Sequence, residues 1–315
     1  MQTVCQEPNV FQFSESLSAK LLEITKSFPH INSNEKMISN ETIAFYRSKL
    51  RKIPEIELLI FRIKQDLATI PGARGYLILD KMFAANDKIP FGDFTLLTAL
   101  CSLAGQPFLC FNRWPIWKPI GTNLQIDPKR ATGVGYIPFH VDVVNAENPP
   151  GFTCFYCEKS DLAGGGKSIV SNFQQAITKL SASEIKYLMK PLVSEGKFYN
   201  LEGVGKELNP FPVLEPFSEK LWRVRFTAKV IPELQEGNKI KELLLKLEDT
   251  LVKNQEVFLL KEGQLLINNQ TIVAHGRLPL GKNQHLIPLE KRRLIYQLFM
   301  HYDQLYETSP VKVNK

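Results

Sequence analysis

His140 and Asp142 stand two residues apart inside IPFHVDVVNAENPP (137–150), a stretch otherwise made of the β-branched and aromatic residues that suit a half-buried strand. Side chains of an extended chain alternate between faces. The spacing therefore predicts that the imidazole and the carboxylate point to one side while Phe139, Val141 and Val143 point to the other. Of the five histidines, His30 and His285 lie in polar loops and His301 lies near the C-terminus, none with a ligand-like neighbour. His275 differs, because it ends the apolar run TIVAHGR and precedes a glycine, which predicts a ring at the mouth of a β core. If His140, Asp142 and His275 converge, two neutral imidazoles and one carboxylate occupy one face of a cation. That leaves positions open for substrate and oxygen, the arrangement of a non-haem Fe(II) oxygenase. Three protein ligands plus a water also describe a catalytic zinc site, and a His-x-Asp in a strand also occurs with no metal at all. A Ser or Cys nucleophile fits poorly, since it needs a base and an oriented acid and no such neighbour is present in the sequence.

Two arginines are candidates for holding an anion near such a centre. Arg277 lies two residues beyond His275, so in an extended segment it faces the same side and can anchor a substrate carboxylate or steady Asp142. The plain alternative is an arginine at a strand end in solvent. In WRVRFT, Trp222, Val224 and Phe226 alternate with Arg223 and Arg225, which reads as core on one side and solvent on the other, with Arg225 a candidate to reach the pocket. The string Gly165-Gly166-Lys167-Ser168 imitates the end of a P-loop. That motif also requires a glycine where Asp161 stands and a helix afterwards, whereas Ser168-Ile169-Val170 favours a strand. Cys154 and Cys157 form a C-x-x-C without a second pair, inside a strand-like GFTCFYCEK that turns the two sulfurs to opposite faces. Buried, unreactive thiols are the expectation.

The elements that must carry these residues are largely β. FLCFN, GYIPFHVDVV, GFTCFYCE, KSIVSN, WRVRFT, EVFLL, QLLINN, TIVAHGR and RLIYQLFM are short, β-branched or aromatic, and separated by Gly, Pro and Asn signals. Residues 14 to 68 read as a helical layer, with Leu17, Leu21, Ile24 and Phe28 at helical spacing and a second stripe of Ile56, Leu59, Ile60 and Ile63. A strand follows at PGARGYLILD, then a helix over DFTLLTALCSLAG with Leu96, Leu97, Leu100 and Leu103 on one stripe. Helical inserts are expected near 174–190, where Ser181 and Glu184 form a capping-box pattern, and near 238–253, where Ile240, Leu243, Leu244, Leu247 and Leu251 share a face. The fold class is thus α+β. Residues 1–69 are expected as a helical N-terminal extension on a β domain of residues 70–308, with a frayed tail at SPVKVNK.

With 315 residues, 44% of them hydrophobic and 23% charged, the chain is ordinary globular material rather than disordered. No apolar run reaches the length of a membrane span, no secretory leader opens the sequence, and five scattered cysteines argue against a disulfide framework. A soluble cytoplasmic protein is the expectation. The net charge of +7 permits attraction to anions. Basic stripes interleaved with exposed aromatics are absent from the sequence, so nucleic acid is not an expected partner.

Taken together, His140-Val141-Asp142, Pro149-Pro150, Gly164-Gly165-Gly166-Lys167-Ser168, Asn269, His275-Gly276-Arg277 and Arg293-Leu294-Ile295-Tyr296-Gln297 resemble, in order and approximate spacing, the taurine dioxygenase family of Fe(II)/2-oxoglutarate enzymes, including its clavaminate-synthase-like branch. The resemblance covers roughly residues 70 to 300 and includes GARGYLILDKM and LLTALCSLAGQP. It implies a double-stranded β-helix, a distorted jelly roll, in which His140, Asp142 and His275 bind iron. It implies that Ser168, at the family's threonine position, and Arg293 hold the distal carboxylate of 2-oxoglutarate, with Arg292 as fallback because the loop before it looks long. Where family members often carry a second arginine four residues on, Gln297 stands, so the co-substrate pocket has one less positive charge or Arg277 compensates. The carboxylate in the His-x-Asp implies hydroxylation rather than halogenation. O2 and 2-oxoglutarate would be consumed, with succinate and CO2 released. A small carboxylate-bearing substrate such as an amino acid or natural-product intermediate is implied, with lids near 74–95 and 196–222. A cupin-like metal-binding jelly roll without turnover and a zinc-dependent hydrolase or lyase are the competing classes.

Overall fold

The computed structural model describes residues 8–70, 72–83, 92–194 and 201–303. The expected tail at 309–315 and parts of both expected lid segments fall outside them. In chain order the elements are β1 (Val10–Gln12), α1 (Glu15–Thr25), α2 (Asn40–Leu50), α3 (Ile56–Asp66), β2 (Tyr76–Asp80), α4 (Thr95–Ser102), β3 (Gln106–Phe108), β4 (Lys118–Gly121) and β5 (Ile137–His140). They continue with β6 (Phe152–Lys159), β7 (Ser168–Asn172), α5 (Phe173–Ile177), α6 (Ala182–Leu188), β8 (Leu214–Ser218), β9 (Leu221–Val224), α7 (Lys239–Lys253), β10 (Glu256–Phe258), β11 (Leu265–Asn269), β12 (Val273–Arg277) and β13 (Leu294–His301).

Two sheets form the jelly roll. The larger runs β1-β2-β11-β6-β13-β3 with β4 also paired to β13, and the smaller runs β10-β7-β12-β5. Each strand of a half-buried sheet must hide both faces, and the order of layers follows from that. Leu77 and Leu79 of β2, Leu265 and Ile267 of β11 and Leu298 and Met300 of β13 turn outward onto α1–α4. There they join Leu17, Leu21, Ile56, Leu59 and Ile63, the stripes that the helical spacing predicts. Each such side chain contributes about 1.5–3 kcal/mol on burial. On the outer face of the small sheet, Ile169 and Ala274 pack with Leu243, Leu244 and Leu247 of α7. Between the sheets Tyr76 and Ile78 pack with Val170, Leu266 and Ile295, and the last three also form part of the wall of a cavity.

The N-terminal segment is not helical throughout. β1 pairs in parallel with β2 and extends the large sheet before α1 begins. Three residues are too short for a period-2 pattern to register. α6 starts with Ser181 and Glu184 in the reciprocal capping arrangement that the sequence pattern predicts. Cys154 and Cys157 are buried, unpaired thiols on opposite faces of β6, one toward the helices and one between the sheets. β7, not a helix, begins at Ser168 after the glycine run, which disposes of the P-loop resemblance. Among the described residues no helix is long and apolar enough to cross a membrane.

Candidate active site

The small sheet brings the two histidines together by direct pairing. In the β12–β5 register His275 lies opposite His140, and the ring centroids are 4.5 Å apart. His140 Nδ1 lies 2.9 Å from the Pro138 carbonyl, which places a proton there and leaves Nε2 with its lone pair toward Asp142. Nε2 of His275 is 3.3 Å from Asp142 Oδ2, and Nε2 of His140 is 3.8 Å from Oδ1. One candidate ligand atom from each residue lies within 4.8 Å of the others. Burial would push the Asp142 carboxyl up, but His275, then His140 and Lys229, hold it well below the usual carboxylate range. Burial also pulls the His140 imidazole well below its ordinary value, which favours the neutral ring a metal requires. Two lone pairs and a carboxylate aimed at one point, with the outer nitrogen of His140 fixed by a carbonyl, fit a divalent cation such as iron.

Asp142 does not sit in a strand as the alternation of IPFHVDVV predicts. β5 ends at His140, and residues 142–145 turn, with Val143 at φ 56°. A β-branched residue in the left-handed region is strained, so the surroundings must hold the turn. They do so with two side chains. Gln270 Oε1 accepts the Asp142 amide at 2.5 Å while its Nε2 donates to the Pro150 carbonyl at 3.0 Å. Arg225, only 1% exposed, donates to the carbonyls of Val144 (2.8 Å), Ala146 and Glu147 (3.1 Å) and pairs with Glu215 at 3.0 Å. The expectation that Arg225 reaches the substrate pocket is therefore corrected. Among the described residues β9 pairs only with β8, and the turn that carries Asp142 covers the side that the pattern assigns to solvent or pocket.

The cavity between the sheets has a volume of about 1000 Å³ and includes the triad, Ser168, Arg277, Arg293 and Gln297 in its wall. Ser168 and Arg293 lie at the end where the glycine run crosses over, with Arg293 Nε 3.5 Å from where a Cβ on Gly166 would stand. Burial lowers the Arg293 pKa, and among the described residues its guanidinium makes no hydrogen bond or ion pair. Arg292 instead donates to the Ile287 carbonyl at 2.9 Å and is not part of the cavity wall. Arg277 reaches the cavity wall, but its guanidinium is taken up by the carbonyls of Ala131 (3.3 Å), Gly133 (2.7 Å) and Gly135 (2.8 Å). Burial, then repulsion from Arg293, brings its pKa down to about 9. It clamps the 131–135 loop rather than presenting a free charge to substrate. Gln297 donates to Asp142 Oδ2 at 3.2 Å and to Thr153 Oγ1 at 3.3 Å, so its amide is engaged with the Asp142 carboxylate.

Sequence reasoning missed Gln270, whose partner is 128 residues away. It also missed Asp161, whose carboxylate accepts from the amides of Ala163, Gly165 and Gly281 and from Gln284, tying the glycine run to the loop before Arg293. The polar run Asn268-Asn269-Gln270 closing an apolar strand is the signal that was there to use. Asn269 pins the turn through Leu67, Thr69, Thr271 and Tyr302, while Asn268 has both side-chain polar atoms buried without a partner.

Residues 120–294 match the taurine catabolism dioxygenase TauD, TfdA family. No curated protein matches the sequence. Among solved structures, an asparagine oxygenase in complex with Fe(II), 2S,3S-3-hydroxyasparagine and succinate superposes with a TM-score of 0.70 at 15% identity, covering 94% of each chain. The non-heme iron oxygenase OrfP in complex with Fe and alpha-ketoglutaric acid gives 0.67 at 13% identity, covering 96% of this chain and 99% of the other. OrfP with Fe and L-Arg gives 0.65 at 14% identity over 94% and 95%. At these identities the likeness is one of fold, and the jelly roll is the same.

Proposed function

The chain belongs to the taurine catabolism dioxygenase TauD, TfdA family, and from that premise we propose that it is an Fe(II)/2-oxoglutarate-dependent oxygenase that hydroxylates a C–H bond of a small amino acid-like substrate. The observation that carries the reading is the convergence of His140, Asp142 and His275 within 4.8 Å of one another, in a cavity whose other end holds the unpaired Arg293. Asparagine oxygenase and OrfP, which share the fold, were solved with hydroxylated amino acids, and this favours an amino acid here.

When bound, Fe(II) and 2-oxoglutarate supply the oxidising power of O2, with succinate and CO2 as co-products. The residues of this chain bind, orient and exclude water. His140, Asp142 and His275 would hold the metal, with Gln270 and the Arg225 clamp fixing the turn that carries Asp142. Ser168 and Arg293 would take the distal carboxylate of 2-oxoglutarate, the hydroxyl donating one hydrogen bond and the guanidinium a planar pair. Phe155, Val170, Leu266 and Ile295 supply apolar wall between those two ends. The Phe155 ring stands 5.3 Å from that of His275 and limits the approach of water to the metal face. The protein's remaining task is to hold the reacting C–H bond within reach of the metal.

Succinate formation from 2-oxoglutarate with Fe(II) and a panel of L-amino acids, run under air and under nitrogen, tests the reading. Oxygen-dependent succinate stimulated by one of the amino acids is expected. Turnover under nitrogen would point to a zinc-type lyase, and a metal-loaded protein inert with every candidate to a binding protein.

A further inference from the structure

Lys118 is a cavity cation without an anion. It opens β4 directly opposite Gln297 in the β4–β13 register, so the two side chains stand next to each other on the face that lines the cavity. Gln297 reaches Asp142, and Lys118, Asp142, His140 and His275 line the same cavity, which puts the ammonium on the triad's side of it. Nζ lies 4.7 Å from the centroid of the Phe111 ring. Among the described residues no carboxylate lies within 4.0 Å of Nζ, and no acceptor takes a hydrogen bond from it. Burial pulls its pKa below the ordinary lysine value. A ring face offsets part of the desolvation of an ammonium, about 0.5–2 kcal/mol, and does not replace an anion.

Of the other cations in the cavity wall, Arg277 is held by three carbonyls, Arg293 belongs to the co-substrate end, and Lys229 acts on His140 and Asp142. Arg293 immediately precedes β13 and lies four residues before the Lys118 level at Gln297, roughly 13 Å of extended chain at about 3.3 Å per residue, so the distal carboxylate held by Arg293 does not also satisfy Lys118. A second anion therefore fits beside the metal face. Elsewhere on the cavity floor, Asn268 has both amide atoms buried without a partner, which suits a ligand with polar hydrogens as well as a carboxylate.

We propose that Lys118 Nζ binds the α-carboxylate of the amino acid substrate, supplying from β4 the cation that Gln297 does not supply from β13. The charge has moved one strand sideways, so the substrate carboxylate lies on the β4 side of the cavity, near Phe111. Lys118 is in this role a specificity-determining residue, selecting ligands with a free carboxylate. The inference rests on the oxygenase reading.

The experiment separates the two. Protein loaded anaerobically with Fe(II) and 2-oxoglutarate, its visible absorption band reporting a formed centre, is titrated calorimetrically with each proteinogenic L-amino acid and with the carboxamide of any that binds. At least one amino acid is expected to bind, and its carboxamide at least about tenfold more weakly. Lys118→Met should lose about 10- to 100-fold in affinity for that amino acid, with the 2-oxoglutarate titration moving less than about threefold, and Lys118→Arg should recover most of the loss. If Lys118→Met forms no band, the acid and carboxamide comparison on the unaltered protein decides alone. A band with no amino acid binding, equal binding of acid and carboxamide, or an equal loss of 2-oxoglutarate affinity in Lys118→Met overturns the inference and leaves the oxygenase reading standing. No band in the unaltered protein sinks the oxygenase reading and the inference with it.

Discussion

Arg293→Ala isolates the co-substrate contact. The guanidinium has no protein partner among the described residues, so its removal strands no buried carboxylate and breaks no ion pair. What is lost is the interaction with the ligand alone. A hydrogen bond to a charged group is worth about 1.5–3 kcal/mol, and one decade of affinity is about 1.36 kcal/mol, so 2-oxoglutarate should bind about 13- to 160-fold more weakly. Burial moves the expectation toward the upper half, because desolvation already depresses the Arg293 pKa and an incoming carboxylate relieves that cost. Arg277 beside it, itself pulled down to about 9, leaves residual positive charge and keeps the loss from being total. The assay is an anaerobic titration of the Fe(II)-loaded protein with 2-oxoglutarate, followed by the visible band, with Arg292→Ala alongside. Unchanged affinity in Arg293→Ala together with a loss in Arg292→Ala would refute the assignment, because Arg292 is committed to the Ile287 carbonyl.

Three further outcomes follow from the groups around the centre. Gln297→Leu removes the donor to Asp142 Oδ2 and should weaken Fe(II) binding by about tenfold or more in a metal titration, since partners of metal ligands set their orientation; unaltered affinity would show that Asp142 needs no such support. Gln270→Leu leaves the Asp142 amide and the Pro150 carbonyl without partners and should cost about 2–6 kcal/mol in urea unfolding, at about 1–3 kcal/mol per stranded group; a midpoint equal to wild type would contradict the clamp. Asp161→Asn should cost about 1.5–3 kcal/mol at neutral pH, because one charged acceptor serves four donors. Burial pushes the Asp161 carboxyl up, but the Gly281 amide, then Gln284, hold it below its ordinary value. A folded pKa below the unfolded one gives stability that is present above the unfolded value of about 3.9 and is lost as pH falls through the folded value. The stability gap between wild type and Asp161→Asn should therefore be constant near neutrality and narrow below about pH 4; a gap that widens on acidification would rule out this role.

The jelly roll, the helices and the convergence of His140, Asp142 and His275 were legible because each rests on local pattern or on rare residues. Strand-like runs such as QLLINN, helical stripes such as Ile56 to Ile63 and the few histidines carry their own signal. What was not legible depends on partners far away in sequence. IPFHVDVV alternates like a strand to its end, yet the chain turns after His140 because Gln270 and Arg225 hold a left-handed Val143 that local propensity disfavours. Arg225 reads as the polar half of an alternating strand, but three carbonyls and Glu215 take up its terminal NH groups in the interior. Arg277 is consumed in the same way, and carbonyl acceptors leave no trace in a sequence of side chains. Gln297 and Lys118 gain their meaning only from the β4–β13 register, which pairs residues just beyond the two ends of the family match.

The account stands on one cation shared by His140, Asp142 and His275. Anaerobic addition of Fe(II) and then 2-oxoglutarate to wild type and to His275→Ala tests that directly. A visible band that saturates at one iron per chain in the wild type and is missing from His275→Ala is the predicted result. A band of equal strength and stoichiometry in both proteins would place the metal elsewhere and contradict the account.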